Sequence, residues 1–141
     1  MSKGKWWGVA GACGIALASV TKPPPAISQP ASASAGAQTV TVTLSNFAFE
    51  PDHLRLKAGV PVRLRLVNES SGAHDFSAPA FFAASSFPPG TAEPKDGDID
   101  VAGHETVEIN LIPRTAGAYR LRCTHFLHGL FGMHGSIEVS P

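Results

Sequence analysis

The sequence predicts an all-β fold, a Greek-key sandwich of about seven short strands. Three observations lead there. Pro (12) and Gly (14) are abundant while only 16% of the 141 residues are charged, a mix that suits strands joined by turns. Apolar residues make up 43%, enough for a globular core, and the length argues for one domain. Apolar residues also recur at period two in segment after segment, with no sustained helical period.

Val40-Thr-Val-Thr-Leu44 alternates and is β-branched, so it reads as the first strand. Ser45 to Asp52 breaks it, and Leu54-Arg-Leu-Lys57 alternates again up to Ala58-Gly59. In Val62-Arg-Leu-Arg-Leu-Val67, Val62, Leu64 and Leu66 share one face and Arg63 and Arg65 the other. Asn68 to Gly72 is a turn, and His74 to Ser77 starts a further strand. Pro79 to Ala102 is irregular, with a short helix near Ala80 to Ser86 and an acidic run, Asp96-Gly-Asp-Ile-Asp100; so long a connection in a compact domain is more often functional than featureless. Thr106 to Leu111 and Tyr119 to Cys123 alternate on either side of a Pro113 to Ala118 turn, and Gly135 to Val139 supplies the last strand. The ladders are expected to be antiparallel.

Lys3 and Lys5 precede an uncharged apolar run, Trp6 to Val20, which is short for a bilayer span. It has the layout of a secretory signal, with small-residue cleavage sites at Ala16-Leu-Ala18 and Ala33-Ser-Ala35. The later site lies within the Pro/Ser/Ala-rich stretch from Lys22 to Ala37 and divides the chain into a signal and leader, 1–35, and a domain, 36–141. Uncleaved, the run would serve as a membrane anchor. Ala10-Gly-Ala-Cys13 is an imperfect lipoprotein box. Export implies a periplasmic or secreted protein.

The whole chain has zero formal net charge and no basic stripe, which argues against nucleic-acid binding. Residues 36–141 carry eight Lys and Arg against eleven Asp and Glu, a net of −3. They also keep a single cysteine, Cys123, which cannot form an internal disulfide. In an exported protein that points to a metal ligand or a reactive thiol.

The run from Cys123 to Met133 carries the chemistry. A thiolate, an imidazole (His128) and a thioether recur at Cys-x4-His-x4-Met spacing, soft and borderline donors of the kind that select copper. One more His completes a His2Cys site with a weak axial Met, and His74, in Ser71-Gly-Ala-His-Asp-Phe76, is placed upstream to supply it. His125, at Cys-x-His spacing, is a rival to His128. His53, His104 and His134 receive no ligand role. Met133 as plain core packing and a tetrahedral zinc site remain open alternatives. A thiol-protease pair has little support, since no glycine-rich oxyanion loop accompanies Cys123.

Asn46-Phe-Ala-Phe-Glu-Pro, Lys57-Ala-Gly, Val67-Asn-Glu, His74-Asp-Phe, Gly117-Ala-Tyr and Cys123 to Gly135 fall in the order seen in small cupredoxins. The chain resembles that family over roughly residues 38 to 140, with a ligand-loop spacing like that of rusticyanin. The resemblance implies a cupredoxin Greek-key sandwich holding one copper ion, Cu(I)/Cu(II), on His74, Cys123, His128 and Met133. It implies a monomeric blue-copper carrier of single electrons outside the cytoplasm, without catalytic residues, that docks a redox protein through Leu127, Leu130 and Phe131. Asp75 departs from the commoner Asn or Ser after the first His, yet can still accept a hydrogen bond from near Thr124. Copper storage, delivery or resistance without electron traffic fits the same ligands. A metal-free partner-binding module is a third reading.

Overall fold

The computed structural model describes residues 36–125 and 132–141. Among the described residues, ten strand segments form two five-stranded sheets. The first sheet contains β1 (Gln38–Ser45), β2 (Ala48–Glu50), β4 (Val62–Asn68), β6 (Ser85–Ser86) and β8 (Thr106–Pro113), in the order β2-β1-β4-β8-β6. The second contains β3 (His53–Lys57), β5 (His74–Ser77), β7 (Asp98–Val101), β9 (Gly117–Arg122) and β10 (His134–Ser140), in the order β3-β10-β9-β5-β7. The seven expected strands all form. The additional segments are the short β2, β6 and β7.

Two pairings differ from the expected antiparallel pattern: β1 runs parallel to β4, and β3 parallel to β10. The cause is connectivity. After β1 the chain passes through β2 into β3, in the other sheet, and comes back to lay β4 beside β1 in the same sense. Parallel neighbours need such an excursion.

Alternation sets which face is buried. Val42, Leu44, Leu64, Leu66, Ile109 and Leu111 project from the first sheet into the core, and Leu54, Leu56, Phe76, Leu121, Ile137 and Val139 meet them from the second. Arg63 and Arg65 lie on the far side of β4, where Arg65 pairs with Glu108 of β8 at 3.2 Å. Phe49 of β2 meets Phe76 of β5 edge to face, with ring centroids 6.0 Å apart, and so fastens one sheet to the other.

The expected helix is real but shorter and earlier: α1 covers Pro79–Ala83, with Pro79 in its first turn. The chain then turns to β8, where Ser85 pairs with Pro113 and Ser86 with Ile112, and the Ser85 hydroxyl donates to the Phe81 carbonyl at 2.8 Å. Phe81 and Phe82 of α1 are buried and pack on Tyr119 and Phe76. Among the described residues no helix is long and apolar enough to cross a membrane.

Candidate metal centre

Three of the four expected ligands lie among the described residues, all at one end of the second sheet. His74 opens β5, Cys123 follows the last residue of β9, and Met133 directly precedes β10. Each is almost wholly buried: His74 is 1% exposed, Cys123 2% and Met133 0%. Continuing the alternation of Tyr119 and Leu121 turns Cys123 inward. Its backbone N–H donates to the Met133 carbonyl at 3.0 Å, which ties the two ligand-bearing backbones together. His128, together with Leu127, Leu130 and Phe131, lies outside the described residues.

The decisive distance is 4.0 Å, between His74 Nδ1 and Cys123 Sγ. Metal bonds of about 2.0 Å to nitrogen and about 2.3 Å to sulfur place such donors roughly 3.5–4 Å apart across one ion. The two atoms therefore fit a shared metal. Burial pushes the Cys123 thiol up to about 11, against an ordinary 9.0. In the metal-free protein the sulfur is protonated at neutral pH, and a metal must displace that proton to bind.

His74 is held from behind by a buried polar chain. The Asn68 amide nitrogen donates to the carbonyls of Gly72 (2.8 Å), Val101 (3.0 Å) and Ala102 (3.0 Å), which fixes the amide orientation. Asn68 Oδ1 therefore faces Ser70 and accepts from both its backbone N–H (3.0 Å) and its hydroxyl (2.8 Å). The one proton of the Ser70 hydroxyl has two acceptors in reach, Asn68 Oδ1 and the Gly72 carbonyl at 3.1 Å, which leaves the Ser70 oxygen to accept from His74 Nε2, 2.8 Å away. The network thus assigns the Nε2–H tautomer and leaves the Nδ1 lone pair towards the sulfur, the usual way an outer partner prepares a ligating imidazole. As sequence, Asn68 to Gly72 reads only as a turn. The alternation of β4 was the available signal, since it puts Asn68 on the same inward face as Leu66.

Asp75 projects to the opposite face of β5 yet is only 3% exposed. One carboxylate oxygen accepts the Thr124 backbone N–H at 2.6 Å, and the other accepts the Thr124 hydroxyl. This bidentate hold fixes the residue that follows Cys123 and realises the hydrogen bond expected near Thr124. His125, next after Thr124, has acidic neighbours. Its ring offers a nitrogen within 4.8 Å of carboxylate oxygens of Asp75 and Asp100. Asp100 stands opposite Asp75 in the β5–β7 ladder, and nothing in its acidic run marks it as part of a site.

Comparison with known proteins agrees with this architecture. The family described as cupredoxin-like domain matches residues 15–139. Among solved structures, auracyanin B superposes with a TM-score of 0.57 at 25% identity, over 75% of this chain and 91% of that one. Sodium-dithionite-reduced auracyanin from the photosynthetic bacterium Roseiflexus castenholzii gives a TM-score of 0.58 over 75% of this chain and 99% of that one; at 17% identity the likeness is one of fold. The curated proteins yield no match. With the family matched over most of its length and the sheets arranged as the family's fold requires, this chain belongs to the cupredoxin-like proteins.

Proposed function

We propose that the protein is an exported blue-copper carrier of single electrons, with one copper ion held by His74, Cys123, His128 and Met133. The observation that carries the reading is the buried 4.0 Å approach of His74 Nδ1 to Cys123 Sγ at the end of the second sheet. Family membership implies the copper-binding fold. When bound, copper supplies a one-electron couple; the protein supplies a frame that need not move. His74 is locked by Ser70 and Asn68, Thr124 by Asp75, and the Cys123 and Met133 backbones by their mutual hydrogen bond. Donors fixed on a sheet end and sealed from water keep their positions whichever charge they hold, which keeps reorganisation small.

On this reading residues 1–35 are the export signal and leader, the domain of 36–141 acts as a monomer outside the cytoplasm, and Leu127, Leu130 and Phe131 form the apolar port where a redox protein docks. No substrate is transformed, so the protein is a carrier and not an enzyme.

Optical and EPR spectra of the copper-loaded protein test the reading. An intense visible thiolate-to-Cu(II) band, abolished in both Cys123→Ser and His74→Ala, is expected. A colourless protein that binds Cu(I) tightly would replace electron carriage with copper storage or delivery. Preferential uptake of zinc from an equal copper–zinc mixture on refolding would overturn the copper assignment.

A further inference from the structure

The outer face of the second sheet is chemically lopsided. Ladder register places side chains in rows across it: His134 beside Arg122, His53 beside Ser136 beside Arg120, and Arg55 beside Glu138. Lys57 completes the series, opposite Ser140. Arg55, Lys57, Arg120 and Arg122 are all exposed. Half of the eight Lys and Arg in residues 36–141 thus gather on three neighbouring strands, in a domain whose net charge is −3. The carboxylate among them is Glu138, which is shared by His53 (3.4 Å) and Arg55 (3.7 Å). Among the described residues no carboxylate lies within ion-pair distance of Arg120, Arg122 or Lys57. The remaining acids of this sheet, Asp75, Asp98 and Asp100, stand on its β5–β7 edge.

The patch also has relief and a location. A hollow of about 230 Å³ opens between β9 and α1, bounded by Ser77, Pro79, Ala80, Arg120 and Arg122. A hollow of that size, bordered by two arginines beside Pro79 and Ala80, suits an acidic side chain whose methylenes rest on the apolar walls and whose carboxylate meets the arginines. Arg122 immediately precedes Cys123, so the basic field begins one residue from the proposed sulfur ligand and extends away from it along the sheet.

We propose that this face, centred on Arg120 and Arg122, docks a protein partner through an acidic surface, one of whose carboxylates seats in the hollow. Resting on the reading of the chain as an electron carrier, the inference gives that carrier's partner its chemical character. Opposite charges raise encounter rates and fix orientation more than they add affinity. The acidic β5–β7 edge sharpens the orientation by repelling the same partner surface. A protein is favoured over an anionic bilayer because a discrete hollow selects a single carboxylate, and because a field that starts beside Cys123 serves a partner that must come close to the metal.

The test uses the full-length, ¹⁵N-labelled, metal-free protein, so that it stands whether or not copper is the cargo. A poly-L-glutamate peptide is the probe for an acidic protein surface, and phosphatidylglycerol vesicles are the probe for a membrane. Amide shifts confined to β3, β9 and β10 on adding the peptide are expected. So is binding at least about tenfold weaker in Arg120→Glu/Arg122→Glu, and weaker again at high salt. Arg63→Glu/Arg65→Glu, on the other sheet, should bind as the parent does. Shifts spread over both sheets, equal loss in the two double variants, or binding to the vesicles that is tighter than to the peptide and is lost in Arg120→Glu/Arg122→Glu would overturn the proposal. The parent and double variants, loaded with Cu(I), are then oxidised to Cu(II) by hexacyanoferrate(III), which takes up the one electron released. A rate that falls with salt in the parent, and falls about tenfold in Arg120→Glu/Arg122→Glu alone, ties the face to electron traffic. Equal rates in all three would overturn that tie.

Discussion

Ser70 shows how much of the candidate site is settled by a residue that would never touch the metal. Its hydroxyl bridges the amide of Asn68 to the ring of His74. Ser70→Ala leaves the His74 Nε2–H and one acceptor site of Asn68 without that partner, in a region less than a tenth exposed. Losing such a buried bond costs about 1–3 kcal/mol. The expected result is a lower urea midpoint for the metal-free protein, together with loss of the Nε2–H signature in the ¹⁵N spectrum of His74. An unchanged tautomer would show that something other than Ser70 sets the ring. The contrast with His74 itself is instructive. His74 and Cys123 were legible from residue type and spacing, because ligand chemistry restricts the choice to very few side chains. Ser70 and Asn68 were not, because serine and asparagine in a turn are ordinary, and only the three carbonyls around the Asn68 amide reveal the network.

Among the elements, the turn between β7 and β8 presses directly on the loop that holds Ser70. The His104 N–H donates to the Ser70 carbonyl at 3.0 Å, and a Cβ on Gly103 would stand 2.2 Å from the Ser71 carbonyl oxygen. Backbone meets backbone there, so neither side can swing away. Gly103→Ala must push the two loops apart, at a cost of about 1–3 kcal/mol. Gly72→Ala, one loop over with open space around it, should stay within about 0.5 kcal/mol of the parent. Denaturant midpoints of the two variants check the pair, and equal midpoints would refute the close approach. The elements also show which sequence signals were read and which were hidden. β4 announced itself through Val62, Leu64 and Leu66. β7 carries the same alternation, with Ile99 and Val101 buried, but its Asp98 and Asp100 gave it the look of an acidic loop. The two-residue β6 is too short to alternate, and is defined by its partner strand rather than by its own residues.

At the scale of the whole molecule, the buried thiol links folding to proton and metal. Cys123 titrates near 11 when folded and at 9.0 as an unperturbed thiol, because burial disfavours the thiolate. The folded state therefore holds its proton more tightly than the unfolded chain does. Stability of the metal-free protein should be unaffected by this group below pH 9 and should fall as pH rises from 9 towards 11, by roughly 2–3 kcal/mol in all. Subtracting the urea-unfolding profile of Cys123→Ser from that of the parent isolates the effect. A difference that is flat across pH 9–11 would contradict it. A bound metal takes the place of the proton and should remove the same slope from the parent.

The hydrogen bond from Cys123 to Met133 has a bearing on how such a protein could diversify. It ties Cys123 to Met133 at the end of the second sheet, and Asp75 anchors Thr124 beside them. Segments of other lengths could be grafted between Thr124 and Met133 while the sandwich beneath went on folding as before, so that new redox behaviour could be acquired as a detachable cassette.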